Sequence, residues 1–325
     1  MFAVLLAFIV IYYHFSQISP DSIRKLPTFA YYILVSSCVP DYWLSNTTLG
    51  NGSTCNCIVY VNSFSELCLD NNQPPHIKYI YQKTTWTEAR NLLYSTVMSK
   101  QQNIDIPHEY HIFVDDDIKL EYSKDFLSAF PDTDPKTTPP LRVFEEFLVA
   151  NQAAVVTPTY INTGNQNHPE IIKQVYKNKC DPEGQDIPWI AHFPLSDDCM
   201  IAYHKCAIPY IFPMETKWES INWWISAILR QYKQLVLFRD STVVDMRLTV
   251  INPEHRAYPQ GNIPPGIVRD STDYFNGSFL GKNHLIPADK QEFSFDARQK
   301  YLVDENDIIC GKDIKWGPIL KQDHC

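Results

Sequence analysis

Three consecutive aspartates, Asp115, Asp116 and Asp117, follow a short stretch, Tyr110–Val114, whose residue types favour a buried β-strand. Three carboxylates at one point repel each other, and burial adds a desolvation cost unless a positive charge compensates. A divalent cation supplies that charge, because hard oxygen ligands suit Mg²⁺, Mn²⁺ or Ca²⁺. The carboxyl end of a strand in an open α/β sheet is also where ligands usually bind. The triplet is therefore a candidate metal site, with an exposed acidic turn as the alternative.

Other acidic motifs fit these residues less well. A phosphatase of the haloacid-dehalogenase type requires Thr or Ser two residues after the second aspartate, where Lys119 stands. An EF-hand loop requires an oxygen ligand at its fifth position and glycine at its sixth, where Lys119 and Leu120 stand. A retaining glycosidase needs only two carboxylates, so it gives no reason for three in a cluster.

The composition limits the number of domains and the kinds of partner that the protein can have. The chain has 325 residues, which allows one large domain or two small ones, and 45% of them are hydrophobic. The net charge of −9 and the sequence pI near 5.5 argue against nucleic acid as a partner. A metal-bridged anion stays compatible with this charge, because the cation inverts the local field.

The amino terminus is apolar, but the run is shorter than the roughly 20 residues that a helix needs to cross a bilayer. It has no basic segment before it and no clear cleavage site. We expect a signal-anchor or signal peptide over residues 1–15, a short stem over 16–27 and the folded domain over 28–325. A buried first helix is the alternative. An anchor would attach the protein to a membrane through residues 1–15.

Sequons and cysteines agree with the secretory pathway. N-glycosylation sequons begin at Asn46, Asn51 and Asn276. Of the nine cysteines, four lie between Cys38 and Cys68, a clustering that indicates local disulfides with one thiol left over in the chain. The two cysteines of Cys55-Asn56-Cys57 are too close for a zinc site without further partners nearby. We therefore expect a lumenal domain on the Golgi membrane, or a secreted protein if the leader is cleaved.

Hydrophobic periodicity predicts strands that alternate with helices after residue 27. Predicted strands cover residues 28–39, 57–62, 77–83, 110–114, 153–160, 200–204 and 235–238, and predicted helices cover 87–102, 141–152 and 220–233. Thr87 is the expected N-cap of the first helix. This alternation implies an α/β protein with a parallel sheet covered by helices.

The Asp-x-Asp at the end of a buried strand, with Ala89-Arg90-Asn91 on the helix before it, resembles the GT-A glycosyltransferases. The segments 197–204 and 215–224 look like the acceptor half of that fold, and the resemblance covers residues 28–238. It implies the GT-A (nucleotide-diphospho-sugar transferase) fold, with a mostly parallel mixed sheet flanked by helices. It also implies transfer of a sugar from a nucleotide-sugar donor to a glycan, glycoprotein or glycolipid acceptor.

The same resemblance assigns roles around the metal. Mn²⁺ or Mg²⁺ would stabilise the leaving diphosphate as a Lewis acid. Asp117 is the expected direct ligand, with Asp115 nearer the ribose or a metal-bound water, and Asp116 able to exchange roles with either. Enzymes of this fold often add a late histidine, which makes His255 a candidate third ligand.

Further residues would bind the donor or take a proton. Arg90 would pair with an aspartate of the motif or with the nucleotide, Asn91 lies beside it, and Lys83 could contact the base or ribose. An inverting transfer also needs a carboxylate that deprotonates the acceptor hydroxyl. The candidates are Asp197, Asp198, Glu215 and Glu219.

Glu219 ranks first and Asp198 is the reserve, because Glu219 opens a tryptophan-rich helix and aromatic faces stack on sugar rings. An N-terminal capping charge is the other interpretation of Glu219. The alternative function is a catalytically degenerate secretory protein of the same fold, which would bind sugar or nucleotide without turnover.

Overall fold

The structure is a computed structural model. It describes residues 28–69, 73–99, 108–161, 169–170, 172–173, 189–192, 198–217, 219, 223–238 and 241–253. Within these ranges no helix is both long and apolar enough to cross a bilayer. Residues 1–27 lie outside them, so the leader, the stem and the domain boundaries stay predictions.

The described chain alternates strands and helices. The strands are β1 (Phe29–Val35), β2 (Cys57–Ser63), β3 (Ile77–Tyr81), β4 (Tyr110–Asp115), β5 (Lys119–Tyr122), β6 (Val155–Tyr160), β7 (Ile190–His192), β8 (Met200–His204) and β9 (Thr242–Ile251). The helices are α1 (Gly52–Cys55), α2 (Trp86–Ser99), α3 (Lys124–Ala129), α4 (Pro140–Asn151), α5 (Ile208–Ile211) and α6 (Trp223–Phe238).

All the described strands belong to one sheet, in the order β3-β2-β1-β4-β8-β6-β9-β5, and β7 pairs with a separate stretch of β9. Strands β1 to β4 are mutually parallel. Strand β8 runs antiparallel between β4 and β6, whereas β6 and β9 are parallel to each other. Since β5, β7 and β8 alone oppose the common direction, the prediction of a mixed, mostly parallel α/β sheet is confirmed.

Helices cover both faces of this sheet. Strand β1 has the sequence FAYYILV and is buried along its whole length, as expected for a central strand with two covered faces. On one face Tyr31 belongs to a core cluster with Phe144 and Leu148 of α4. On the other face Tyr32 belongs to a cluster that includes Leu93 of α2. The result is a three-layer arrangement in which α2 packs against β1 and β2.

The start of α2 corrects the predicted cap. Helix α2 begins at Trp86, so Thr87 lies inside it and its assignment as the N-cap is wrong. Thr85 has this role instead: its hydroxyl accepts from the Glu88 N–H at 3.4 Å, and its own N–H donates to the Glu88 carboxylate at 3.0 Å. This reciprocal pair is a capping box, for which the sequence signature Thr-x-x-Glu is present.

The end of the described chain corrects a strand. Residues 235–238 were predicted as the last core strand, but they end helix α6, and β9 follows. A short apolar run cannot be told from a buried helix segment by periodicity alone. Strand β9 was missed because it contains Asp245 and Arg247. The Arg247 guanidinium donates to both carboxylate oxygens of the fully buried Asp245, at 2.9 and 2.8 Å.

The cysteines form local disulfides, as predicted. Cys38 pairs with Cys68, and Cys55 pairs with Cys57. Cys206 is also in a disulfide, whereas Cys199 is a thiol. The Cys38–Cys68 bond joins the loops that follow β1 and β2, and the Cys55–Cys57 bond lies at the amino end of β2.

Glu145 of α4 gives the fold a predictable pH dependence. It accepts from the Tyr31 hydroxyl at 2.7 Å and lies 2.5 Å from Arg142. Burial raises the Glu145 pKa to about 8, and this outweighs Arg142 and Tyr31, which lower it. Because the folded state retains a proton that the unfolded chain has lost, stability falls as the pH rises from about 4.5 towards 8. Glu145→Gln should remove this loss.

Thermal melts of the wild type and Glu145→Gln across pH 5 to 8 test this expectation. The melting temperature of the variant should rise relative to that of the wild type as the pH increases. Glu66→Gln, at an exposed carboxylate that does not act on the Glu145 pKa, is the matched control and should show no such trend. An equal difference between wild type and Glu145→Gln at both ends of the range would contradict the proposed burial effect.

Candidate active site

The aspartate triplet lies at the topological switch point of the sheet. Strand β1 has β2 on one side and β4 on the other, so the connections on its two flanks diverge and leave a crevice at the carboxyl ends. Asp115 is the last residue of β4 and stands in register with Leu34 of β1. The sequence therefore places its most acidic segment where open α/β sheets usually bind ligands.

The buried guanidinium of Arg90 forms an ion pair with the first aspartate of the triplet. Arg90 on α2 is 1% exposed, and its Nη2 lies 2.9 Å from the Asp115 carboxylate. The same nitrogen donates to the carbonyl oxygen of Asp198 at 2.9 Å. The Trp86 ring lies 4.0 Å from the guanidinium carbon, which adds a cation–π contact. The structure thus brings Arg90 together with Asp115, and an aspartate of the motif was one of the two partners that the sequence analysis expected for Arg90.

The other terminal nitrogen of Arg90 has hydrogen-bonding capacity left. Nη1 is buried and has no hydrogen-bond partner among the residues that the structure describes. A buried N–H without an acceptor costs free energy, and such groups often mark functional sites. Phosphate oxygens are suited to accept from it, because guanidinium–phosphate hydrogen bonds are charge-assisted. Arg90 can therefore hold Asp115 and still bind an anion.

Asp116 and Asp117 are half-buried and lie in the turn after β4. The Asn252 side chain donates to the Asp117 carboxylate at 2.8 Å. Asn252 reaches this point because β5 pairs with β9, with Lys119 opposite Ile251. The sequence analysis missed Asn252, since it also missed the strand that delivers it. Its amide oxygen adds a further hard ligand type beside the carboxylates.

The residues at this edge fit a divalent ion. Three carboxylates face one nearby guanidinium, so the local charge stays negative even with the Asp115–Arg90 ion pair in place. Carboxylate and amide oxygens are the ligands that Mg²⁺ and Mn²⁺ prefer. Partial exposure of Asp116 and Asp117 leaves room for the water or phosphate oxygens that complete such a coordination shell.

Asp198 approaches the triplet from β8. The Asp115 N–H donates to the Cys199 carbonyl at 2.8 Å, which extends the β4–β8 ladder. The Asp198 carboxylate lies 2.7 Å from Nη2 of the buried Arg230. Arg230 also donates to the Tyr203 hydroxyl at 3.1 Å, and burial raises the Tyr203 pKa to about 12, so this hydroxyl stays protonated. The reserve base is thus near the triplet, but its charge is compensated.

Glu219 occupies an unexpected position. Its carboxylate accepts from the Thr85 hydroxyl and from the Thr87 N–H, both at 2.6 Å, and the residue is 9% exposed. It therefore caps the amino terminus of α2 from a distant part of the chain, where a negative charge is favourable. This site lies one helical turn before Arg90. The catalytic role of Glu219 stays a prediction.

The other predicted donor-binding residues also lie around α2. The Asn91 amide donates to the Met214 carbonyl at 2.8 Å and accepts from the Met214 N–H at 2.7 Å. Lys83 is exposed, just beyond the carboxyl end of β3. Their roles in donor binding stay predictions. Asp197 and His255 lie outside the described residues.

Asn62 of β2 is a site residue that the sequence analysis did not name. It is fully buried, in register with Leu34, which is itself in register with Asp115. Its amide nitrogen donates to the Thr84 hydroxyl at 2.9 Å, whereas its carbonyl oxygen has no hydrogen-bond partner within the described part of the chain. An amide in the apolar strand CIVYVNS was the available signal. Asn62 extends the polar edge from β4 to β2.

Comparison with known proteins adds a likeness of shape. No protein-family model and no curated protein matches the chain. Among solved structures, the chain is similar to the galactosyltransferase LgtC in complex with donor and acceptor sugar analogues. The identity is 10% and the TM-score 0.30, over 80% of this chain and 98% of that one. A likeness at this TM-score does not assign a function to the chain.

Proposed function

We propose that the chain is a metal-dependent glycosyltransferase of the GT-A type, which transfers a sugar from a nucleotide-sugar donor to a glycan, glycoprotein or glycolipid. The observation that carries the proposal is the ion pair between the buried Arg90 and Asp115, the first residue of the aspartate triplet, at the switch point of the sheet. A nucleotide diphosphate needs both kinds of group. Carboxylates hold the cation that the diphosphate binds, and a guanidinium compensates the negative charge that remains on the phosphate oxygens.

Each part of the site would have a distinct task. Asp117 and Asp116 would hold Mn²⁺ or Mg²⁺, which supplies Lewis-acid stabilisation of the leaving diphosphate. Arg90 would donate its spare N–H to a phosphate oxygen while it fixes the orientation of Asp115. The polar edge at Asn62 and Lys83 lies beyond β1, where the ribose or base of the donor would extend.

A second candidate function is binding of a nucleotide or nucleotide sugar without turnover. This second function is favoured because the carboxylates of both candidate bases already have partners. Asp198 is paired with Arg230, and Glu219 caps α2. A protein of this kind would retain the donor site and lack a carboxylate available for proton transfer. The two candidates therefore share the metal site and differ in catalysis.

A thermal-shift panel of nucleotide sugars, each with and without Mn²⁺, tests the shared part. One donor at about 100 times its dissociation constant should stabilise the protein by roughly 2.7 kcal/mol, and only with metal present. Slow metal-dependent hydrolysis of that donor then distinguishes the two candidate functions. A transferase slowly transfers the donor sugar to water, whereas a binding protein does not. No metal-dependent shift with any nucleotide sugar would overturn both.

A further inference from the structure

We propose that Cys55, Cys57 and His76 form a redox-controlled zinc site, separate from the aspartate site. Cys57 is the first residue of β2, and His76 directly precedes β3, the parallel neighbour of β2. Both therefore lie at the amino edge of the sheet, whereas Asp115 ends β4 at the carboxyl edge. The proposal is independent of the transferase activity.

The three side chains are close enough to share one ion. The sulfur atoms of Cys55 and Cys57 and a ring nitrogen of His76 all lie within 4.8 Å of one another. The two cysteines are buried, and His76 is half-buried, which leaves a route for the ion from the histidine side. Thiolate sulfur and imidazole nitrogen are the ligands that zinc prefers. His76 is the nearby partner that the Cys-x-Cys motif lacked in the sequence analysis.

The orientation of His76 is a second, independent observation. Its Nε2 lies 2.6 Å from the carbonyl oxygen of Leu49. A carbonyl can only accept, so Nε2 carries the hydrogen, and in the neutral ring Nδ1 has the lone pair. Nδ1 lies against α1, because a Cβ added to Gly52 would stand 2.6 Å from it. A histidine held by a backbone carbonyl through one nitrogen, with the other available, has the arrangement typical of a metal ligand.

The redox state decides whether this site exists. Cys55 and Cys57 are joined by a disulfide, which leaves no thiolate for a metal. A phosphine or dithiol reductant delivers two electrons to this bond, and uptake of two protons gives two thiols. Zinc binding then displaces both protons as the thiols become thiolates. The sulfur atoms must separate to about 3.8 Å, the spacing that a tetrahedral ion with Zn–S bonds of about 2.3 Å requires.

Zinc and oxidation therefore compete for the same pair of cysteines. Metal bound to the thiolates withdraws them from disulfide formation, and the disulfide excludes the metal. With three protein ligands, the fourth position is left for water or an exogenous ligand. A purely structural disulfide would need no imidazole at this distance, so dependence on His76 distinguishes the two roles.

Co²⁺ titration of the full chain, reduced with a phosphine under anaerobic conditions, tests the site. In the reduced wild type one equivalent of Co²⁺ should produce a sulfur-to-cobalt charge-transfer band, which an oxygen-ligand site does not give, and Zn²⁺ should abolish this band. The oxidised protein should show no such band. His76→Gln retains a donor for the Leu49 carbonyl but removes the ligand, so its affinity should fall by roughly tenfold or more.

Two controls keep the test independent of variant folding. Removing the other local disulfide with Cys38→Ser and Cys68→Ser should leave the single equivalent of Co²⁺ unchanged. In the reduced wild type, Zn²⁺ should also protect Cys55 and Cys57 from alkylation, as read by peptide mass spectrometry. Equal alkylation with and without zinc, or undiminished binding in His76→Gln, would overturn the proposal.

Discussion

Asp117→Asn is expected to abolish the Mn²⁺-dependent stabilisation of the protein by a nucleotide sugar. Asparagine has the shape of aspartate and can still contact Asn252, which donates to Asp117 at 2.8 Å. It lacks the negative charge that a hard divalent ion requires. The loss should amount to the whole metal-dependent term, roughly 2.7 kcal/mol when the donor is at about 100 times its dissociation constant. Thermal shift with and without Mn²⁺ measures it.

The matched control is Asp132→Asn, an exposed carboxylate of the loop that follows α3. It removes the same charge from the molecule and should leave metal-dependent binding unchanged. The melting temperature of apo Asp117→Asn should stay near that of the wild type, because Asp117 is only half-buried. If donor affinity in Asp117→Asn depends on Mn²⁺ as in the wild type, Asp117 is not the ligand.

The sequence was sufficient for the centre of the sheet, where local signals and the fold agree. The strand predicted at residues 110–114 corresponds to β4, and Arg90 and Asp115 were each named from residue type and position. Their ion pair forms because α2 packs against β1 and β2 and the Arg90 side chain reaches the end of β4. A buried arginine and an acidic strand end compensate each other, so their meeting is favoured once both lie at the same edge.

The remainder of the site depends on contacts between distant residues, which a single sequence does not encode locally. Asn252 reaches Asp117 only because β5 and β9 pair. Strand β9 was not predicted, because it contains the charged residues of a buried ion pair. The carboxylate of Glu219 accepts from the Thr87 N–H although the two residues are 132 positions apart in the sequence. No periodicity predicts a cap that another segment supplies.

Helix α2 connects the two halves of the candidate site. Glu219 holds its amino terminus, and Met214 clamps Asn91 through both polar atoms of the amide. Between these two contacts lies Arg90, which meets Asp115. Met214 and Glu219 are thus both hydrogen-bonded to the helix that carries Arg90. A change at Glu219 can therefore act through α2 as well as through chemistry.

Glu219→Gln distinguishes the capping of α2 from proton transfer by the carboxylate, and we expect it to have a large effect on transfer. Glutamine still has an oxygen that can accept from the Thr87 N–H, so the cap and the position of Arg90 should be retained. The variant lacks a base. If Glu219 deprotonates the acceptor, transfer should fall by about 10²–10⁴-fold, with donor affinity and melting temperature close to those of the wild type.

Glu88→Gln is the matched control, because Glu88 caps the same helix through the Thr85 N–H and is exposed. Both variants remove one charge from the amino terminus of α2, which for the exposed Glu88 costs about 0.3–1 kcal/mol. Both should therefore lower the melting temperature slightly, and only Glu219→Gln should lower transfer. If transfer by Glu219→Gln stays within a few-fold of that by Glu88→Gln, Glu219 is a cap alone. The proton of the acceptor must then go to another group, or the enzyme must retain configuration.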